Sequence, residues 1–215
     1  MRTTIVLAAI FACVVLPAVA QDITTQMQER ADYGAGNMNH DPGAPDSANQ
    51  AERKRVNGND PEGIAEDLRL HGQCDKALPI LRRLVEGEAG FAISQFNLGL
   101  CLFDLAKTQK DPQQTQAMNK EGAEWVLKAA NGGFGKAQAM AVVLYLDGLG
   151  VAADPVEAGK WAYVFRDNGS RLVLGLPDIS ADTRSRLDAV LTGDKRKEAH
   201  ARANSWVQTG DRTEQ

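Results

Sequence analysis

The feature that most restricts this chain is an internal period of 43 residues. Phe91 and Phe134, Ser94 and Ala137, Gln95 and Gln138, Leu102 and Tyr145, and Asp104 and Asp147 all stand at that separation, as do the Asp-Pro pairs at Asp111 and Asp154. A fixed period of this size marks a chain built from supersecondary units, none of which can bury its apolar side alone. The copies differ in length, because Trp125 and Trp161 are only 36 residues apart and the earlier unit therefore holds seven extra residues. Seven residues add about two helical turns and bring the buried face back to nearly the same direction. The insertion lengthens a helix without changing what it packs against.

The units read as helices. Asp60-Pro61, Asp111-Pro112 and Asp154-Pro155 each place a capping carboxylate before a proline, which is tolerated in a first turn because the missing N–H has no partner there. Gln114 and Glu157 stand three residues after the second and third aspartates, the spacing of a capping box. Ser180 predicts a further helix start, and Gly193 a break. Apolar residues recur at helical spacing through Leu78, Leu81, Leu84 and Val85, and again through Leu187, Val190, Leu191, Ala199, Ala203 and Trp206.

The N-terminus has a different character. Arg2, the apolar run from Ile5 to Val15 and the small residues Ala18, Val19 and Ala20 predict a signal peptide over 1–20, cleaved near Ala20/Gln21. The run is shorter than the roughly 20 residues of a membrane-spanning helix, so no integral membrane segment is expected after cleavage. Cys13 loosely fits an acylation site, with Phe11 an awkward neighbour. Residues 21–59 are expected to be a mostly disordered tether, since from Tyr33 to Asn59 Gly, Asn, Pro, Asp and Ser dominate. A short helix over 23–31 is expected to precede that stretch.

The formal net charge is -4, one unit more negative once Arg2 leaves with the leader. A mildly acidic chain has no attraction to phosphate backbones, which argues against nucleic acid as a partner.

Residues 137–161 carry a specific pattern. Leu144-Tyr145-Leu146-Asp147-Gly148-Leu149-Gly150-Val151, followed by Asp154 and by Ala158 three residues before Trp161, resembles a Sel-1-like repeat, a relative of the tetratricopeptide repeats. Residues 95–100 and 125–133 resemble the two helices of the same motif, with 104–110 in place of the glycine turn. Ala141-Val142 and Val164-Phe165-Arg166 depart from the pattern.

The resemblance implies an all-α fold, with antiparallel helix pairs stacked as a short right-handed α-solenoid and closed by terminal capping helices. The repeat domain would span 60–208, with units at about 60–90 (divergent), 91–133 and 134–169, capping helices over 170–208 and a disordered tail at 209–215.

The function it implies is a non-enzymatic, periplasmic or secreted scaffold or regulator that binds a protein or peptide of the cell envelope on its concave face. Asn97, Asp104, Met140 and Asp147 are the candidate groove residues, with ordinary inter-helix packing the alternative for Met140 and Leu144. In an antiparallel stack Cys74 and Cys101 fall on the same side and are the candidate disulfide, two buried free thiols being the alternative. The rival readings are a cell-wall-associated enzyme or peptidoglycan-binding or small-ligand-binding protein, and a structural assembly module.

Catalytic signatures are missing from the sequence. His40, His71 and His200 are scattered and none stands at metal-ligand spacing from a Cys or carboxylate. There is no Gly-x-Ser-x-Gly, Ser-x-x-Lys or phosphate loop. Gly148 and Gly150 suit a helix-to-helix turn better than a dinucleotide motif, and Glu121 and Glu124 read as a solvated face. No cofactor or metal is expected.

Overall fold

The structure, a computed structural model, describes residues 60–86 and 92–209. The predicted leader, tether and short N-terminal helix, together with Cys13, His40, Phe91 and 210–215, lie outside the described residues. Those that are described are helical, with no strand among them. In chain order the helices are α1 (Pro61–Leu70), α2 (Cys74–Val85), α3 (Ala92–Thr108), α4 (Pro112–Asn131), α5 (Gly135–Asp147), α6 (Pro155–Arg166), α7 (Gly169–Val173), α8 (Ala181–Val190) and α9 (Gly193–Asn204).

The predicted starts are realised. The carboxylate of Asp60 accepts from the Glu62 amide, that of Asp111 from Gln113, and that of Asp154 from Val156 and Glu157, each with proline opening the helix. Ser180 accepts from the Thr183 amide at 3.1 Å, and the chain breaks at Leu191 and Thr192, directly before Gly193.

The capping box expected at Asp154 forms only in part. Its own N–H donates to Tyr145 O, and the Glu157 carboxylate turns outward to Lys160 and Arg202. Two cations draw Glu157 away from the reciprocal bond.

Gly148 caps α5 at φ +68 and Gly150 follows at φ +73. Both positions lie in the left-handed region open to glycine. That is what a tight helix-to-helix turn requires.

Each helix from α1 to α5 packs on its successor, α1 also reaches α3, and α9 returns to lie along α6. The three-residue links at α1/α2, α3/α4 and α4/α5 are of the length that joins antiparallel helix pairs, while the seven-residue α5/α6 link holds the glycine turn. The first three helices enclose a core of Ala65, Ala77, Leu81, Leu98 and Leu102 around Cys74 and Cys101. These cysteines stand at disulfide distance, with Cα atoms 5.1 Å apart.

At the α3/α4 crossing two glycines, Gly99 and Gly122, face each other. A Cβ on Gly99 would meet Gly122 O and Val126 Cγ2, both at 2.7 Å. The equivalent positions one unit later hold Val142 and Ala158, so the next hairpin cannot close in the same way. Phe96 meets Phe134 edge to face at 5.3 Å, tying α3 to the start of α5.

Candidate binding cleft

Gln138 interrupts the apolar run of α5, and its side chain is fully buried. A buried amide needs partners. Its Nε2 donates to Ala130 O at 3.3 Å, and its Oε1 accepts from Asn168 Nδ2 at 2.7 Å. Asn168 also donates to Gly133 O at 2.9 Å, while its Oδ1 accepts from the Ser170 and Arg171 amides and so starts α7. The result is a relay of amides joining the end of α6 to the α4/α5 turn.

The C-terminal segment reaches the same turn from the other side. Trp206 Nε1 donates to Asn131 Oδ1 at 3.2 Å, Gln208 Nε2 to Gly132 O at 3.0 Å, and the Thr209 amide to Asn131 O at 2.8 Å. Trp206 also packs edge to face on buried Trp161, with centroids 6.0 Å apart. Thr209, which the sequence assigns to a loose tail, is thus pinned.

Between relay and strap lies a cleft of about 400 Å³. Gln138 and Asn168 line one side, Asn204, Trp206 and Gln208 the other, with Tyr163, Asp167 and Ser170 at the remaining edges. Its single charged residue is Asp167, which Arg166 holds in a two-pronged pair at 2.7 and 2.9 Å. That hydrogen bonding holds the Asp167 carboxyl below its ordinary value, against the opposing effect of desolvation.

The groove residues expected from the sequence are not brought together. Asn97 and Met140 are each only 2 % exposed, because the neighbouring helices cover α3 and α5. Asn97 Oδ1 accepts from Arg69 Nε at 2.9 Å. Asp104 pairs with Lys107 on its own helix. Asp147 is engaged by Arg186 of α8, which ties the α5 end to the closing helices. Asn97 and Met140 therefore belong to the interior and do not form an open face.

The cleft holds oriented amides and aromatic rings. His71 bonds within α1 and its turn, and His200 lies edge-on to Tyr163 at 5.2 Å. Among the described residues no group of His, Cys, Asp and Glu could hold a metal ion, and no helix is long and apolar enough to cross a membrane.

Sequence reasoning missed the cleft because its walls meet through contacts 30 to 76 residues apart. One signal was available: Gln138 is an amide inside an otherwise apolar helix. No protein-family model matches the chain, and no curated protein matches it.

Proposed function

We propose that this protein is an exported, non-enzymatic scaffold or regulator that binds a segment of another protein, built from Sel-1-like helix pairs stacked as a short right-handed α-solenoid. The observation that carries the reading is the preorganised cleft between the Gln138–Asn168 relay and the Trp206–Thr209 strap. Its amides are held by the protein's own backbone, its aromatic rings are fixed, and its volume falls in the range of ligand sites. Rigid polar groups beside aromatic surface hold a polypeptide at low entropic cost. The 43-residue period supports the repeat architecture, and the leader-like first twenty residues with the Cys74–Cys101 pair support an oxidising, extracytoplasmic compartment.

Affinity capture from an envelope fraction tests the reading, with the unsubstituted protein and a Ser170→Trp variant as baits. Ser170 is exposed at the cleft edge and its side chain makes no cap bond, so tryptophan there fills the cleft while the fold remains. Proteins held by the unsubstituted bait and lost from the variant are expected. Identical captured sets would end the proposal. A thermal shift with muropeptides, abolished by the same substitution, would favour the small-ligand reading instead.

A further inference from the structure

We infer, on the footing of the polypeptide site proposed above, that the segment held in the cleft carries a large apolar side chain beside its bound stretch and seats it on Val173 and Leu174 of the α7 turn. The three most exposed large apolar residues among the described side chains are Val173 at 86 %, Leu174 at 69 % and Val207 at 64 %, the others being at 43 % or below. Single aliphatics scattered over a surface need no explanation, but these gather around one opening. Val207 stands between Trp206 and Gln208, which line the cleft, and Val173 and Leu174 follow Ser170 at its edge.

The register of α7 joins the two aliphatic residues to the cleft. The Leu174 amide donates to Ser170 O at 2.9 Å, so the helical turn holds through Leu174. Gly175 at φ +62 ends it, with the Leu176 amide returning to Arg171 O. Residues three and four apart share a helix face. The face that brings Ser170 to the cleft therefore continues as an aliphatic shelf one turn further on. A polar lining that runs into bare aliphatic surface suits an amphipathic polypeptide, whose polar groups enter the cleft while a neighbouring side chain leaves water on the shelf. Two aliphatic side chains fall far short of the roughly 800 Å² per partner that a stable dimer buries. A net charge of -4 gives the chain no attraction to an anionic lipid surface.

Selection from a display library of random nine-residue peptides, flanked on both sides, tests this against the unsubstituted protein, Ser170→Trp and two double variants. The polar one, Val173→Thr with Leu174→Gln, removes the apolar character at nearly constant size, and the apolar one, Val173→Ile with Leu174→Met, keeps it. Both positions are exposed, so the thermal midpoints of the double variants are expected to match the parent. Selected peptides are expected to lose binding to Ser170→Trp and to share a Leu, Ile, Met or Phe at a fixed position. Their affinity is expected to fall about tenfold in the polar double variant, equivalent to about 1.4 kcal/mol, and to hold in the apolar one. Peptides that Ser170→Trp rejects, but that show no apolar preference and bind the polar double variant at full strength, would overturn the shelf and leave the cleft standing. Absence of any peptide whose binding Ser170→Trp abolishes would overturn the cleft as a polypeptide site, and the inference with it. A dimer in sedimentation, or binding to phosphatidylglycerol vesicles, that the polar double variant loses would assign the shelf to a second copy or to a lipid surface and overturn the inference.

Discussion

Asn168 donates to the buried oxygen of Gln138 at 2.7 Å across 30 residues of sequence, so one amide pair couples the end of α6 to the floor of the cleft. Removing Asn168 leaves Gln138 Oε1 buried without a donor and Gly133 O without one of its bonds. Asn168→Ala is expected to destabilise the fold by about 1–3 kcal/mol, the cost of an orphaned buried polar group. A denaturant midpoint measured at unchanged m-value reads this. A shift below about 0.5 kcal/mol would mean that the relay adds only the modest net worth of an ordinary hydrogen bond.

The α3/α4 crossing offers a steric test. Gly99→Ala places a methyl 2.7 Å from a backbone oxygen and from Val126, neither of which can swing away, and is expected to cost about 1–3 kcal/mol as overpacking does. Gly169→Ala is the control, since nothing lies within 4 Å of its Cβ and its φ is not left-handed. It is expected to be neutral or stabilising by about 0.4–1 kcal/mol. Equal effects would contradict the close approach of α3 and α4.

Cys74 and Cys101 are separated by 27 residues, and closing a loop of that size stabilises by about 3–4 kcal/mol in the chain-entropy picture. The thermal midpoint is expected to fall on adding reductant, and the Cys74→Ala, Cys101→Ala double variant is expected to match the reduced protein and ignore reductant. An unsubstituted protein indifferent to reductant would show that the two side chains are free thiols.

Arg82 on α2 grips Glu121 on α4 with bonds of 2.7 and 3.1 Å. This hydrogen bonding outweighs desolvation and lowers the Glu121 carboxyl below its ordinary 4.5. A carboxylate depressed in the folded state contributes stability that is complete above the unfolded value and is lost as pH falls through the folded one. Because the pair is substantially exposed, its contribution is at most about 1 kcal/mol. Glu121→Gln is expected to be slightly less stable than the parent at pH 7, and the two stability curves to converge as pH drops below 4.5. A gap that stays constant to acid pH would assign the effect to packing.

Local chemistry wrote the helix boundaries into the sequence. Asp60, Asp111, Asp154 and Ser180 sit beside the amides they cap, so a few neighbouring residues suffice to place them. The pairing of Cys74 with Cys101 was legible because the order of hairpins constrains which helix ends meet. The cleft was not legible, since Trp206 reaches Asn131 over 75 residues and no periodicity encodes that return. Asn97 and Met140 were misplaced on an open face for the same reason, their burial depending on how closely neighbouring helices settle over α3 and α5.

A photo-crosslinking amino acid placed at Ser170 tests the central claim most directly, with one at exposed Lys110 as the control. Irradiation in the envelope is expected to yield, from position 170 alone, an adduct that peptide mapping assigns to an internal stretch of another protein. Adducts of the same kind from both positions, or none from position 170, would contradict the assignment of the cleft as a polypeptide site.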